Sequence, residues 1–206
     1  MAAGLMLTAI VALFTIQIPA LLEILLSSRF TFIGLFAVQI GLVIWLSARV
    51  EKMSASTATL VFLGYSALTG ITLSVIFLVY TAESLASTFF VTAGTFGAMS
   101  AYGYVTKRDL TRLGSFMMMG LIGMILASVV NIFLKNSTVY WITTYIGILI
   151  FVGLTAYDTQ KIKLMSQMGF DGTETEQKGA IMGALRLYLD FINLFLLLLR
   201  VMGNRR

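Results

Sequence analysis

Long apolar stretches, separated by short polar connections, make up almost the whole chain. A helix that spans a bilayer needs about 20 mainly apolar residues, and the sequence supplies six clear stretches of that length and a seventh near its C-terminal end. The predicted transmembrane helices lie near residues 3–25, 30–48, 57–80, 85–105, 112–134, 139–160 and 180–202. The sequence therefore predicts an all-α integral membrane protein with seven transmembrane helices in a single domain over residues 1–206.

The two ends of this pattern need separate interpretation. The first stretch lacks the basic residues of a secretory signal and runs too long for one, so we interpret it as a transmembrane helix, kinked at Pro19. We expect a polar N-terminal tail to precede it in the complete protein. The longest connection, Leu164 to Gly179, holds three of the nine acidic residues and is typical of a solvated, mobile loop.

The distribution of basic residues predicts the orientation, because cytoplasmic connections of membrane proteins carry an excess of lysine and arginine. The connections alternate between the two sides of the membrane, and those on one side hold only Arg29 and Lys135. The connections on the other side, with their flanks, hold Arg49, Lys52, Lys107, Arg108, Arg112, Lys161, Lys163 and Lys178. We therefore expect this set and the N-terminus to be cytoplasmic. Arg205 and Arg206 lie outside if the seventh segment spans the membrane, and inside if it is re-entrant.

Composition narrows the possible chemistry. The chain is 59% hydrophobic and 11% charged, against roughly 25% charged residues in a soluble domain. It has no cysteine and no histidine, which excludes disulfides, thiolate and imidazole metal sites, and histidine-dependent catalysis. Residues 181–202 contain no lysine, which excludes a retinal Schiff base there. We expect no resident cofactor and no nucleic-acid partner, and any proton or metal chemistry falls to the carboxylates.

Two carboxylates, Asp158 and Asp190, lie inside the predicted spans. An ionised carboxylate at the bilayer centre costs at least ~2.5 to 3.5 kcal/mol, so each requires a partner, a water-filled cavity or a proton. Asp190 stands about ten residues, or roughly 15 Å, into the last segment, close to the midplane. We therefore expect the last helix to lie at the centre, surrounded by the other six. Tyr188 and Asn193 flank Asp190 with further hydrogen-bonding groups.

Asp158 and Asp190 can lie within a turn or two in depth if their helices are neighbours. Two close carboxylates in a medium of low dielectric constant do not both ionise cheaply, so one would hold a proton at neutral pH. Ion pairs are the alternative interpretation. Arg186 precedes Asp190 by four residues on the same helical face, and Lys161 or Lys163 follows Asp158 closely.

Four further polar residues are candidates for the path of an ion. Arg49, at the predicted cytoplasmic end of the second helix, is a candidate to bridge to the carboxylates or, alternatively, extends its side chain to the interface. Glu23, Gln17 and Gln39 are candidates to line the outer half of a path. Each of these three is equally consistent with a hydrogen bond between helices.

Three segments resemble the transmembrane Bax inhibitor motif family, in its bacterial branch. They are "GLTAYDTQKIK" at residues 153–163, "LRLYLDFINLFLLLLR" at 185–200 and "LTGITLS" at 68–74. The resemblance implies a bacterial inner-membrane protein whose last helix is encircled by the other six, and a pH-sensitive calcium leak. It also implies that Asp158 and Asp190 are the family's paired aspartates and Arg49 its second-helix arginine. Gln39 stands where some relatives have an acid in that helix.

These features support one leading function and two alternatives. The leading hypothesis is a calcium channel gated by protonation of Asp158 and Asp190, whose oxygens suit calcium as the transported ion. The second is a non-enzymatic interaction protein that modulates a membrane protease or a cell-death or stress pathway. The third is an intramembrane aspartyl protease. It is disfavoured because Leu187, Tyr188 and Leu189 stand where such enzymes have Gly-x-Gly before the aspartate, so we predict that the chain is not an enzyme.

Overall fold

The computed structural model describes residues 1–167 and 173–205, and within these ranges the secondary-structure elements are all helices. A single 3-10 turn, Val50–Lys52, follows the third helix. The α-helices are α1 Ala2–Thr15, α2 Pro19–Ser27, α3 Arg29–Arg49, α4 Ala55–Leu73, α5 Ile76–Val79, α6 Ala82–Val105, α7 Thr111–Leu134, α8 Ser137–Gln167 and α9 Glu174–Met202. The all-α prediction is confirmed.

Within the described residues, five stretches of helix are long and apolar enough to cross a membrane. They are Ile33–Lys52, Ala55–Val79, Thr111–Leu134, Ser137–Gln167 and Glu174–Met202. The bent pair formed by α1 and α2 adds a sixth if it counts as one span. Helix α6 is 24 residues long but is rich in alanine, glycine, serine and threonine, which lower its hydropathy. Five to six spans are therefore supported on length and composition.

The first predicted helix is broken at Pro19. Helix α1 and the segment Pro19–Leu25 meet at 101°, which is a larger deflection than the predicted kink. Proline has no N–H to donate, and it drives the preceding residue towards extended backbone. Ile18 accordingly has φ −111° and ψ 94°. The break separates Gln17 from Glu23, because they now lie on either side of it.

The prediction of a loop from Leu164 to Gly179 is wrong at both ends, since α8 continues to Gln167 and α9 begins at Glu174. The sequence Thr-x-x-Glu from Thr173 is a helix-start signal, and the Thr173 hydroxyl accepts a hydrogen bond from the Glu176 N–H at 3.3 Å. Lys178 Nζ lies 3.4 Å from a Glu174 oxygen and closes the first turn. The remainder of the predicted loop, residues 168–172, lies outside the described residues.

These boundaries change the depth of the two aspartates within their helices. Asp158 precedes the end of α8 by nine residues, about 13 Å of helix, so it is not near that end as the predicted helix 139–160 implied. Asp190 follows the start of α9 by 16 residues and precedes its end by 12. Each carboxylate therefore lies well inside a long helix.

The chain divides into two compact units, and the prediction of a single domain stays a prediction. The described part of the first unit comprises residues 1–81, 173–188 and 205. In it, α4 packs against α1 and α3. The approach of α1 is close, because a Cβ atom at Gly70 would lie 2.6 Å from the Thr8 carbonyl oxygen.

The described part of the second unit comprises residues 82–167 and 189–204. Here α6 and α7 both pack against α8. A Cβ atom at Gly103 in α6 would overlap the carbonyl oxygen of Ala156 in α8, so only glycine allows this approach. One apolar cluster joins α8 to the C-terminal half of α9 through Ile150, Phe151, Leu154, Leu194 and Leu197.

Candidate functional site

Asp158 and Asp190 both belong to the second unit, and both are buried, with exposed fractions of 7% and 5%. Each lies one helical turn from a residue of the same apolar cluster. Leu154 precedes Asp158 by four residues in α8, and Leu194 follows Asp190 by four residues in α9. The helices that carry the two acids therefore share a core directly beside them.

The pairing of α8 with the C-terminal half of α9 extends beyond this cluster. Arg200 Nη1 donates to Thr144 Oγ1 at 3.1 Å, and a Cβ atom at Gly147 would lie 2.9 Å from Leu197 Cδ1. The pairing is antiparallel, since earlier residues of α8 meet later residues of α9. Continued towards the two acids at about 1.5 Å per residue, this register brings positions 158 and 190 within about one helical turn of each other in height.

The residues around Asp158 fix it against two neighbouring helices. Tyr157 packs its ring on Gly114 of α7, where a Cβ atom would lie 2.5 Å from the ring. Gln160 is buried and holds the connection between α6 and α7, because its Oε1 accepts from the Leu110 N–H at 2.9 Å and its Nε2 donates to the Arg108 carbonyl at 2.8 Å. The sequence analysis did not assign Gln160, although it stands in the Tyr-Asp-Thr-Gln motif.

The same connection carries an acid that is accessible to solvent. Asp109 Oδ1 accepts a hydrogen bond from the Thr111 N–H at 2.8 Å. Hydrogen bonds from the Thr111 side chain and then from its N–H hold the pKa of Asp109 below its usual value. Asp109 therefore offers an exposed carboxylate in the second unit with which the two buried ones can be compared.

The residue after Asp190 anchors α9 to α6. The Phe191 ring lies edge-to-face with Phe89 at 5.8 Å and with Phe96 at 5.4 Å, measured between ring centroids. Asn193, expected to support the site, donates from Nδ2 to the Leu189 carbonyl of its own helix at 2.8 Å. Its amide nitrogen is therefore bound within α9.

Tyr188, the other expected supporting residue, is fully buried in the first unit. Its hydroxyl lies 2.7 Å from Thr8 Oγ1, which is also within 2.8 Å of the Ser66 carbonyl oxygen. Thr8 Oγ1 also lies 2.9 Å from a carbonyl oxygen of its own helix. Carbonyls only accept, so the single threonine proton goes to one of these two carbonyls and Tyr188 is the donor to Thr8. The Tyr188 ring also packs edge-to-face on Phe62 and Tyr65. These contacts fix α9 against α1 and α4.

The candidate cations differ from the aspartates in burial. Arg49, in the last turn of α3, and Arg186, in α9, are both exposed and belong to the first unit. The lysines that offered ion pairs to Asp158 make other contacts. Lys163 Nζ donates to the Tyr104 carbonyl at 2.6 Å, and Lys161 Nζ lies 5.9 Å from the centroid of the Tyr157 ring.

The three candidates for the outer half of a path have different surroundings. Gln39 is buried, and its Nε2 donates to the Leu68 carbonyl at 3.0 Å and to Thr72 Oγ1 at 2.5 Å. It therefore forms the hydrogen bond between helices that was the alternative interpretation. Gln17 and Glu23 are exposed. Their role in lining a path stays a prediction.

A stripe of hydroxyl groups on α6 was missed by the sequence analysis. Ser84, Thr88, Thr92 and Ser100 recur at multiples of four residues, and the first three are buried. Thr92 donates to the Thr88 carbonyl of its own helix. Among the described residues, however, the buried oxygens of the Thr88 and Ser100 side chains have no hydrogen-bond partner. Buried hydroxyls of this kind are usually satisfied by ordered water, so the α6 stripe is a polar surface inside the second unit.

No cluster of three or more metal-binding side chains occurs in the described ranges 1–167 and 173–205. Calcium prefers six to eight oxygen ligands. Two aspartates would therefore need hydroxyl, carbonyl or water oxygens to complete a calcium site.

Comparison with known proteins gives consistent matches along the chain. The profile described as "Inhibitor of apoptosis-promoting Bax1" matches residues 1–206. The chain is 57% identical to "Inner membrane protein YbhL" of Escherichia coli K12, over 100% of this chain and 88% of that protein. It is 48% identical to an "Uncharacterized protein" of Borreliella burgdorferi, over 100% of this chain and 89% of that protein. It is also 48% identical to "Uncharacterized protein RP147" of Rickettsia prowazekii, over 100% of this chain and 86% of that protein. None of these names states an enzymatic activity.

Proposed function

Because the chain belongs to the family described as inhibitor of apoptosis-promoting Bax1, we propose that it is a pH-sensitive calcium conduit of the Bax inhibitor type. The membership confirms the resemblance that the Tyr-Asp-Thr-Gln and Leu-Asp-Phe-Ile-Asn motifs indicated. The name of the Escherichia coli relative supports a location in a bacterial inner membrane. The proposed gate is the pair of aspartates, Asp158 and Asp190.

In the proposed topology, α1 with α2 and α4 with α5 each form one span, and α3, α6, α7, α8 and α9 complete seven. The buried residues of α9 from position 183 to 199 cover roughly 240° of its circumference, at about 100° per residue. By contrast, the single buried residue of α7, a helix described in full, is Gly114. This difference supports a central α9 surrounded by the other spans. The excess of basic residues at alternate connections supports a cytoplasmic N-terminus.

The observation that carries the proposal is the burial of two acids on paired helices. Asp158 and Asp190 are exposed by only 7% and 5%, and the register of α8 with α9 supports similar heights. Two carboxylates that approach each other in a buried setting share a proton more readily than they carry two charges. We propose that this shared proton keeps α8 and α9 together in the closed state.

The energy available from one proton is large enough to gate the helices. Two unit charges about 4 Å apart interact with an energy on the order of 4 kcal/mol at an effective dielectric constant of about 20. That energy changes an equilibrium constant roughly a thousandfold. Gain or loss of one proton can therefore move the balance between closed and open states.

Calcium would cross along oxygen atoms that the second unit supplies. The aspartate oxygens are anionic, and the α6 stripe adds the neutral hydroxyls of Thr88 and Ser100. Hard divalent cations prefer such oxygen ligands, and binding by few of them leaves the ion able to move on. The protease alternative stays disfavoured, because Leu187, Tyr188 and Leu189 stand where such enzymes have Gly-x-Gly before the aspartate.

The test is calcium flux into proteoliposomes that contain the purified chain, measured with an enclosed dye over a range of pH. We expect the flux of the wild-type protein to depend on pH, and the Asp158→Asn and Asp190→Asn variants to lose that dependence. Asp109→Asn is the matched control, because Asp109 is an exposed acid in the same unit and an asparagine oxygen can also accept the hydrogen bond from the Thr111 N–H. Wild-type pH dependence in both buried variants would refute the proposed gate. Absence of flux at every pH would favour the interaction function instead.

A further inference from the structure

Arg200, in the last turn of α9, forms no ion pair with any acidic side chain in the described part of the chain. Its Nη1 donates to Thr144 Oγ1 at 3.1 Å, and its guanidinium carbon lies 4.6 Å from the centroid of the Tyr140 ring. A guanidinium group carries five N–H donors in a planar fork. These two contacts orient the group and leave most of its donors for another ligand.

The surroundings of Arg200 are those of a membrane–water interface. Tyr140 is the fourth residue of α8, and Arg200 precedes the end of α9 by two residues. Beside them, Trp141 and Tyr145 stack with their centroids 6.0 Å apart and are 42% and 53% exposed. Exposed tryptophan and tyrosine at the ends of transmembrane helices lie at the level of the lipid headgroups.

From this geometry we propose that Arg200 binds the phosphate of an anionic phospholipid headgroup. The fork of a guanidinium matches two phosphate oxygens, and arginine forms stronger bidentate pairs with phosphate than lysine does. The Tyr140 ring contacts the cation from one side by a cation–π contact, which uses none of the N–H donors and leaves them available to a phosphate. Trp141 and Tyr145 supply apolar area for the glycerol region of the same lipid. This binding does not depend on the proposed ion conduction.

The experiment uses the full chain in nanodiscs of phosphatidylcholine alone or mixed with phosphatidylglycerol. Thermal unfolding is recorded in both, and retained lipid is counted by native mass spectrometry. We expect phosphatidylglycerol to raise the Tm of the wild-type protein. Arg200→Gln should lose most of this rise in Tm. It should also retain roughly one-fifth as much anionic lipid as the wild-type protein, as expected for loss of one basic contact at the membrane surface. Arg200→Lys should keep part of it, because charge remains but the fork does not.

The control is Arg112→Gln, which removes one exposed charge from the first turn of α7, at the other end of the α7–α8 pair. It should keep the wild-type difference between the two lipids. Each variant is compared with itself in the two membranes, so a general loss of stability does not affect the result. The proposal is overturned if Arg200→Gln and Arg200→Lys both keep the full rise, or if millimolar inorganic phosphate in phosphatidylcholine reproduces the rise without anionic lipid.

Discussion

The contact between Gly103 and Ala156 provides a sensitive test of the second unit, because it joins α6 to α8 two residues from Asp158. A Cβ atom at Gly103 would overlap the Ala156 carbonyl oxygen and lie 2.9 Å from its carbon and 3.0 Å from its Cα. All three atoms belong to the backbone, so no side chain can rotate away. To accept Gly103→Ala, the two helices must separate by about 1 Å, and strain of this kind typically costs ~1 to 3 kcal/mol.

Gly97→Ala is the matched control in the same helix, since a Cβ atom there would meet no atom within 4 Å. Alanine favours a helix over glycine by about 1 kcal/mol, so this control should be neutral or slightly stabilised. We expect Gly103→Ala to unfold at a lower temperature than the wild-type protein in the same detergent, followed by circular dichroism. If Gly103→Ala proved as stable as Gly97→Ala, the close approach of α6 and α8 would be refuted.

Two further predictions concern the first unit. Gln39→Leu removes the hydrogen bonds from α3 to α4 and should lower the free energy of unfolding in detergent by about 1 kcal/mol, in the range measured for hydrogen bonds between membrane helices. A decrease in the free energy of unfolding below about 0.3 kcal/mol would show that this contact contributes little. Thr173→Ala removes the cap of α9 and should cost about 1 kcal/mol, with faster amide exchange in the first turn. Thr175→Ala is the control, because it replaces a threonine in the same turn without removing the capping hydrogen bond. Equal amide exchange rates in the two variants would contradict the capping role of Thr173.

Hydropathy alone located the helical segments, but not all of their limits. Apolar stretches must satisfy their backbone groups internally, and within the described residues each predicted stretch is largely helical, with breaks at residues 16–18 and 74–75. The start of α9 was predicted wrongly because polar residues there form a helix cap and a side-chain pair, which hydropathy does not register. The right-angled break at Pro19 was likewise underestimated, since a proline can bend a helix by very different amounts.

The cost of burying a charge identified Asp158 and Asp190, and both are buried. Gln160 could not be identified in this way, because burying an uncharged amide carries no comparable penalty, and its two loop contacts are visible only in the structure. The hydroxyls of α6 were not identified either, because a neutral hydroxyl carries no such penalty. Their spacing of four residues was a signal for a buried polar stripe, although it does not distinguish a wet surface from a dry one.

The central claim is that Asp158 and Asp190 share one proton. Infrared spectroscopy of the protein with isotopically labelled aspartate measures this directly, because a protonated carboxyl group absorbs apart from an ionised one. We predict an acid band at pH 7 in the wild-type protein whose titration changes in both Asp158→Asn and Asp190→Asn. If each variant instead left the titration of the remaining aspartate unchanged, the two groups would not share a proton and the account of gating would be contradicted.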